Sequence, residues 1–114
     1  MSFDRFSVVR VPFPFSDRNA TKNRPAVVLS DPAAFNIPAG HAVMAMITSQ
    51  SNPAWPLDCP LTDLASAGLP SPSLVRFKLF TLDHRLVRGE IGKLAPADED
   101  VVAAGLTTLL GGPR

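Results

Sequence analysis

Every segment of this 114-residue chain that reads as a β-strand comes before the one segment that reads as a helix. That order excludes the strand–helix alternation of a parallel sheet. It points to a small, mostly antiparallel sheet, curled or closed into an open barrel, with a terminal helix laid against it. The strands are short and punctuated by proline. "SVVRV", Ser7 to Val11, is β-branched and runs into "PFPF", where Pro12 and Pro14 cannot donate ladder bonds. "AVVLS", Ala26 to Ser30, reads as a second strand. "HAVMAMITS", His41 to Ser49, reads as a third, whose near-continuous apolar character predicts burial on both faces.

A proline-rich stretch follows, with one strand expected around Trp55 to Leu61 and a loop through Gly68, Pro70 and Pro72. "SLVRFKLFTLD", Ser73 to Asp83, alternates: Val75, Phe77 and Leu79 on one side, Leu74, Arg76 and Lys78 on the other. The pattern predicts a half-buried strand with two cations on its wet face. "LVRGEIGKL" adds a strand or a turn. From Pro96 onward Val102, Leu106 and Leu109 recur at helical spacing. Pro96 suits a first turn, and Asp98, Glu99 and Asp100 lie near the positive end of the helix dipole. Ala95 is a poor cap and Gly105 weakens the interior, so this helix depends on packing, and "GGPR" ends it. The expected fold class is mainly β with a C-terminal α-helix, as a single domain over residues 1–114 without internal repeats.

Hydrophobic residues make up 46% of the chain, enough for a core without disulfides or metal. Cys59 is the only cysteine, which excludes an internal disulfide framework or a multi-cysteine zinc site and suits a reducing compartment. The N-terminus lacks the pattern of a secretory signal, and the longest strongly apolar stretch, Ala42 to Ile47, is too short to span a bilayer. A soluble, cytoplasmic protein is expected. The net charge of +1 conceals an asymmetry, because three of the ten acids are Asp98, Glu99 and Asp100. The first 97 residues carry ten Lys/Arg against seven Asp/Glu, a mild basic bias compatible with nucleic acid and equally with an ordinary solvated surface.

Several chemistries are excluded. The chain has no glycine-rich phosphate loop, no nucleophile elbow, and no HExxH or paired-cysteine signature. His41 and His84 lack ligand spacing, and Cys59, between Asp58 and Pro60, reads as a small buried hydrophobe. Two residues remain. Pro25 holds Arg24 extended at the mouth of the second strand, presenting fixed donors suited to phosphate. Thr48 offers a hydroxyl in "TSQS", where the third strand leaves its apolar run. The two approach each other if strands two and three pair. On these facts alone the plainer reading leads: a surface ion-pair partner and a strand-end hydroxyl.

"VVRVPFPFSD", "KNRPAVVLS", "MAMITSQS", "AGLPSPSLVRFKLFTLD", "IGKL" and the final amphipathic helix, in that order over nearly the whole chain, resemble the MazF/PemK-like toxins of type II toxin-antitoxin systems. The resemblance implies an SH3-like, partly open barrel of about five to seven strands that forms a homodimer. It implies a sequence-selective endoribonuclease that cuts single-stranded RNA with neither metal nor other cofactor, and a cognate antitoxin whose disordered segment lies over the RNA site. The family's catalytic arginine and threonine fall on Arg24 and Thr48. Attack of a ribose 2′-OH on the neighbouring phosphate would leave a 2′,3′-cyclic phosphate and a 5′-OH. Arg24 would stabilise the developing phosphoryl charge and Thr48 would orient the phosphate.

The polar connection Ser16 to Asn23 corresponds to the family's mobile cover over the site, so Asp17 and Lys22 are candidate RNA contacts. Ser49, Gln50 and Ser51 are candidates beside Thr48, and Arg76 and Lys78 lie on a strand that borders the family's channel. Trp55 is a candidate stacking platform; Phe13 and Phe15 read better as core. Two departures stand out. Family members commonly open the first strand with Gly-Asp where this chain has Phe6-Ser7. One plasmid-borne branch uses an acid at the position of Lys78. The competing readings are a non-catalytic toxin of the same fold, poisoning gyrase or only binding its antitoxin, and an SH3-like peptide-binding module, which the absence of tyrosine disfavours.

Overall fold

In the computed structural model, residues 3–13 and 22–113 are described; Phe15, Asp17 and most of the Ser16–Asn23 connection lie outside them. Six strands, β1 (Ser7–Phe13), β2 (Lys22–Val28), β3 (His41–Ser49), β4 (Cys59–Pro60), β5 (Ser73–Asp83) and β6 (Glu90–Lys93), form one sheet. Its order is β4-β5-β3-β2-β1-β6, every pairing is antiparallel, and it curls into a half-barrel. A π-helical turn, Pro32–Asn36, and a short helix, α1 (Ile37–Ala39), connect β2 to β3. Helix α2 (Leu64–Ala67) follows β4, and α3 (Pro96–Leu109) closes the chain.

Strand alternation sends side chains to two cores. Val8, Val27, Ala45, Ile47 and Val75 pack with Ala67 of α2 and Val102 of α3. Val9, Val11, Ala26, Val28, Met44 and Leu82 form the second cluster on the other face, partly covered by Phe3, Phe80 and Val87. This explains the continuous apolar run of β3, a central strand buried on both sides. The sheet has two edges, β4 and β6, and α2, which follows β4 in the chain, packs against β6. Ser66 Oγ donates to the Lys93 carbonyl at 2.7 Å, and a Cβ on Gly92 would lie only 2.4 Å from the Ala67 carbonyl carbon. Backbone meets backbone at this seam, which only glycine permits.

Local chemistry accounts for the short helices. Asp31 caps the π-helical turn by accepting from Ala34 N, and Asp63 caps α2 by accepting from Ser66 N. Helix α3 has no side-chain cap at Ala95 and starts at Pro96, as its sequence predicts. Its first acid does more than meet the dipole. The Asp98 carboxylate, 3% exposed, accepts from Thr62 N, Thr62 Oγ1 and Asp63 N, which ties α3 to the lead into α2. Gly105 sits where a Cβ would be 2.9 Å from the Phe77 ring, so the glycine that weakens the helix also lets it approach β5.

Three expectations need correction. The segment Trp55 to Leu61 is mostly turn, and only Cys59 and Pro60 pair with β5, because Asp58 N donates to the Trp55 carbonyl at 3.3 Å across a turn in which Pro56 has no N–H and Leu57 adopts φ 65°. β2 begins at Lys22, four residues before Ala26, because its hairpin partner β1 extends through Phe13. Arg76 is buried rather than on a wet face. At the start of β1, Phe6 adopts φ 69°, a left-handed conformation that burial of its ring offsets. The Ser7 hydroxyl is fully buried, with no partner among the described residues.

Candidate active site

The β2–β3 ladder sets Ala26 opposite Met46, and the same register carried two residues outward sets Arg24 across from Thr48. The ladder has ended by that point, beside Pro25, which has no N–H to offer. Alternation places Arg24 and Thr48 on the same face as Ala26 and Met46, where the two strands part. Both side chains line two adjoining clefts, of about 310 and 260 Å³. The proximity that strand pairing would require is therefore present.

The first cleft adds Met46, Arg76 and Lys78. A register shift brings the two cations there. Ala45 faces Leu79, but the next residue, Met46, faces Arg76, which leaves Phe77 and Lys78 unmatched in β3. Phe77 packs toward α3, while Arg76 and Lys78 line the cleft. The Arg76 guanidinium donates through Nε and Nη2 to both oxygens of Asp58, at 3.2 and 3.0 Å, and through Nη2 to the Pro53 carbonyl at 2.8 Å. Its carbon lies 5.1 Å from the centroid of the Trp55 ring, and Lys78 Nζ lies 5.2 Å from the same centroid. Hydrogen bonding from Arg76 holds the Asp58 carboxyl below the usual carboxylate range; burial pulls the other way, and the Trp55 amide adds to the lowering. Burial and the adjacent Asp58 charge push the Cys59 thiol up, in keeping with a core role.

The second cleft adds Ser49, Leu69, Pro70, Ser71 and Ser73 and carries no charge besides Arg24. Of the other residues marked from sequence, Lys22 is exposed at the start of β2 and lines neither cleft. Gln50 is spent on structure: its Nε2 donates to the Ser73 carbonyl at 3.0 Å and its amide to that of Pro72 at 3.2 Å. Ser51 shares a 2.9 Å hydroxyl contact with Ser49. Trp55 is 44% exposed beside the cleft, and the Phe13 side chain and Phe15 lie outside the described residues. Two residues were missed. Asn52 lines both clefts and donates from Nδ2 to Thr48 Oγ1 at 2.6 Å, and Asp58 anchors Arg76. The signal for Asn52 was present, since the polar string after Thr48 runs on to it as "TSQSN".

A family model described as the PemK-like, MazF-like toxin of type II toxin-antitoxin system matches residues 4–110. The chain belongs to this family. Among solved structures, a MazE–MazF complex from Deinococcus radiodurans is similar to it at 24% identity, covering 99% of this chain and 100% of that one, with a TM-score of 0.77. MazF alone from the same organism is 25% identical, covering 97% and 98%, with a TM-score of 0.72. An endoribonuclease in complex with its cognate antitoxin from a mycobacterial species is 19% identical, covering 99% and 97%, with a TM-score of 0.76. No curated protein matches. The chain is thus a MazF-like toxin with the MazF fold, and the peptide-binding reading falls away. Among the described residues, no helix is long and apolar enough to cross a membrane.

Proposed function

We propose that this toxin is a sequence-selective endoribonuclease that cleaves single-stranded RNA, chiefly mRNA, without a metal ion. The observation that carries the reading is that Arg24 and Thr48, 24 residues apart in sequence, line the same two clefts at the point where β2 and β3 separate. Attack of a 2′-OH on the adjacent phosphate builds charge on the phosphoryl oxygens. A guanidinium and a hydroxyl held on neighbouring strands stabilise that charge with little reorganisation. Arg24 acts as charge stabiliser, because a group with a pKa above about 12 gives up a proton reluctantly at neutral pH. Thr48 donates to and orients the phosphate. The products are a 2′,3′-cyclic phosphate and a 5′-OH.

The cleft chemistry supports an anionic polymer as substrate. Lys78 and Arg24 provide positive charge along the first cleft, and Trp55 beside it offers a face for a base. The second cleft, lined by no charged side chain besides Arg24, suits a base next to the scissile phosphate. The protein acts in the cytoplasm as a homodimer, and a cognate antitoxin covers the RNA site, as the antitoxin-bound relatives suggest. The test is to incubate purified protein with mixed RNA in EDTA and map the cut ends. Cyclic phosphate and 5′-OH termini are expected, with Arg24→Ala slower by about 10² to 10³, the usual cost of losing one such donor. Intact RNA with wild type would instead support the non-catalytic toxin of the same fold.

A further inference from the structure

A threonine hydroxyl has one hydrogen and two lone pairs, so its partner decides which way it can act. Asn52 Nδ2 donates to Thr48 Oγ1 at 2.6 Å and occupies one lone pair. Among the described residues Thr48 Oγ1 donates to nothing, which leaves its hydrogen for the clefts that both residues line. We propose that Asn52 is a positioning residue: it fixes the Thr48 hydroxyl as a donor toward the phosphate. This rests on the reading that Arg24 and Thr48 hold that phosphate.

The turn that carries Asn52 is built to keep it in place. Asn52 N donates to the Ser49 carbonyl at 3.2 Å, and Ser51 N donates to Ser49 Oγ at 3.2 Å. One residue further on, the Pro53 carbonyl accepts from Arg76, whose guanidinium is itself locked by Asp58 and is only 9% exposed. A buried ion pair thus holds one end of the turn and β3 holds the other. Arg76 therefore steadies the chain next to Asn52, and Lys78 is more exposed than Arg76 in the first cleft. A residue whose only purpose was to close the turn would need its backbone alone, whereas Asn52 also aims its amide at Thr48.

Single-turnover cleavage of a single-stranded RNA by wild type, Thr48→Ala, Asn52→Ala, Asn52→Asp and the Asn52→Ala/Thr48→Ala double variant tests this. Asn52→Ala should lower the maximal single-turnover rate about tenfold with the half-saturating enzyme concentration nearly unchanged, because the hydroxyl's direction matters most as charge develops. Asn52→Asp should be slower still, since a carboxylate accepts the Thr48 hydrogen and places negative charge by the phosphate. In the Thr48→Ala background, Asn52→Ala should change nothing further. Thermal melts should match wild type for both Asn52 variants, because Asn52 is exposed. The proposal is overturned if the two losses multiply, or if Asn52→Asp cuts as fast as wild type. Absence of cleavage by wild type overturns the nuclease reading, and a Thr48→Ala variant as fast as wild type overturns the assignment of Thr48 to the phosphate; either removes this proposal with it. Multiplying losses in an active enzyme overturn the role of Asn52 alone.

Discussion

Removing the Asp98 carboxylate should destabilise the fold far more than removing either of its neighbouring acids. Asp98 is 3% exposed, and its two oxygens accept from Thr62 N at 3.1 Å each, from Thr62 Oγ1 at 2.8 Å and from Asp63 N at 3.1 Å. Asp98→Ala strands three donors and opens a small void between α3 and the lead into α2. A donor left unmade costs about 1 to 3 kcal/mol when buried; Thr62 and Asp63 are exposed, so water recovers part of that, and with the void left in place of the buried carboxylate about 3 kcal/mol in total is the central figure. At roughly 4 °C per kcal/mol for a domain of this size, the melting temperature should fall by about 12 °C. Glu99→Ala and Asp100→Ala, which lose only exposed or half-exposed charge near the dipole, should cost about 0.3 to 1 kcal/mol. Urea unfolding with intrinsic tryptophan fluorescence measures all three, since Trp55 is the single tryptophan. Should Asp98→Ala fall within 0.5 kcal/mol of wild type, the reasoning that this carboxylate anchors α3 is wrong.

Other perturbations separate the remaining interactions. Asp58 has its carboxyl held low by Arg76, so the pair stabilises above the unfolded value near pH 4, and that contribution is lost as pH falls through the lower folded value. Asp58→Asn should therefore be less stable than wild type at pH 7, with the gap closing in melts run below about pH 4. Gly105→Ala should lose about 1 kcal/mol in urea unfolding: contact with the Phe77 ring at 2.9 Å outweighs the gain in helix propensity of about 1 kcal/mol. A stabilised variant would show that Phe77 yields freely. Ser7→Ala should raise the urea midpoint by about 1 kcal/mol equivalent, since it removes a buried hydroxyl that lacks a partner among the described residues.

How much of this was readable in advance differs by element. β1, β3, β5 and α3 were legible because each carries its own period or β-branched run over at least five residues. Helix α1, α2 and the π-helical turn were not, being too short for periodicity and marked only by the aspartates that cap two of them. Strand β4 was over-extended because an apolar stretch containing Trp55 and Leu57 looked like a strand, although the turn over Trp55 to Asp58 limits pairing to Cys59 and Pro60. Phe6 was flagged as a departure, but nothing local predicts its φ of 69°.

The same division runs through the candidate site. Residue order alone determined that Arg24 is held extended by Pro25 and that Thr48 ends an apolar strand, because both depend on immediate neighbours along the chain. The family, too, was legible in the ordered motifs. Only the tertiary structure decided that the two residues line common clefts, because that depends on the register between β2 and β3. It alone decided that Arg76 faces inward to Asp58 rather than out to solvent. Alternation assigns a residue to a face of a strand, but a register shift and an acid 18 residues away determine whether that face is wet.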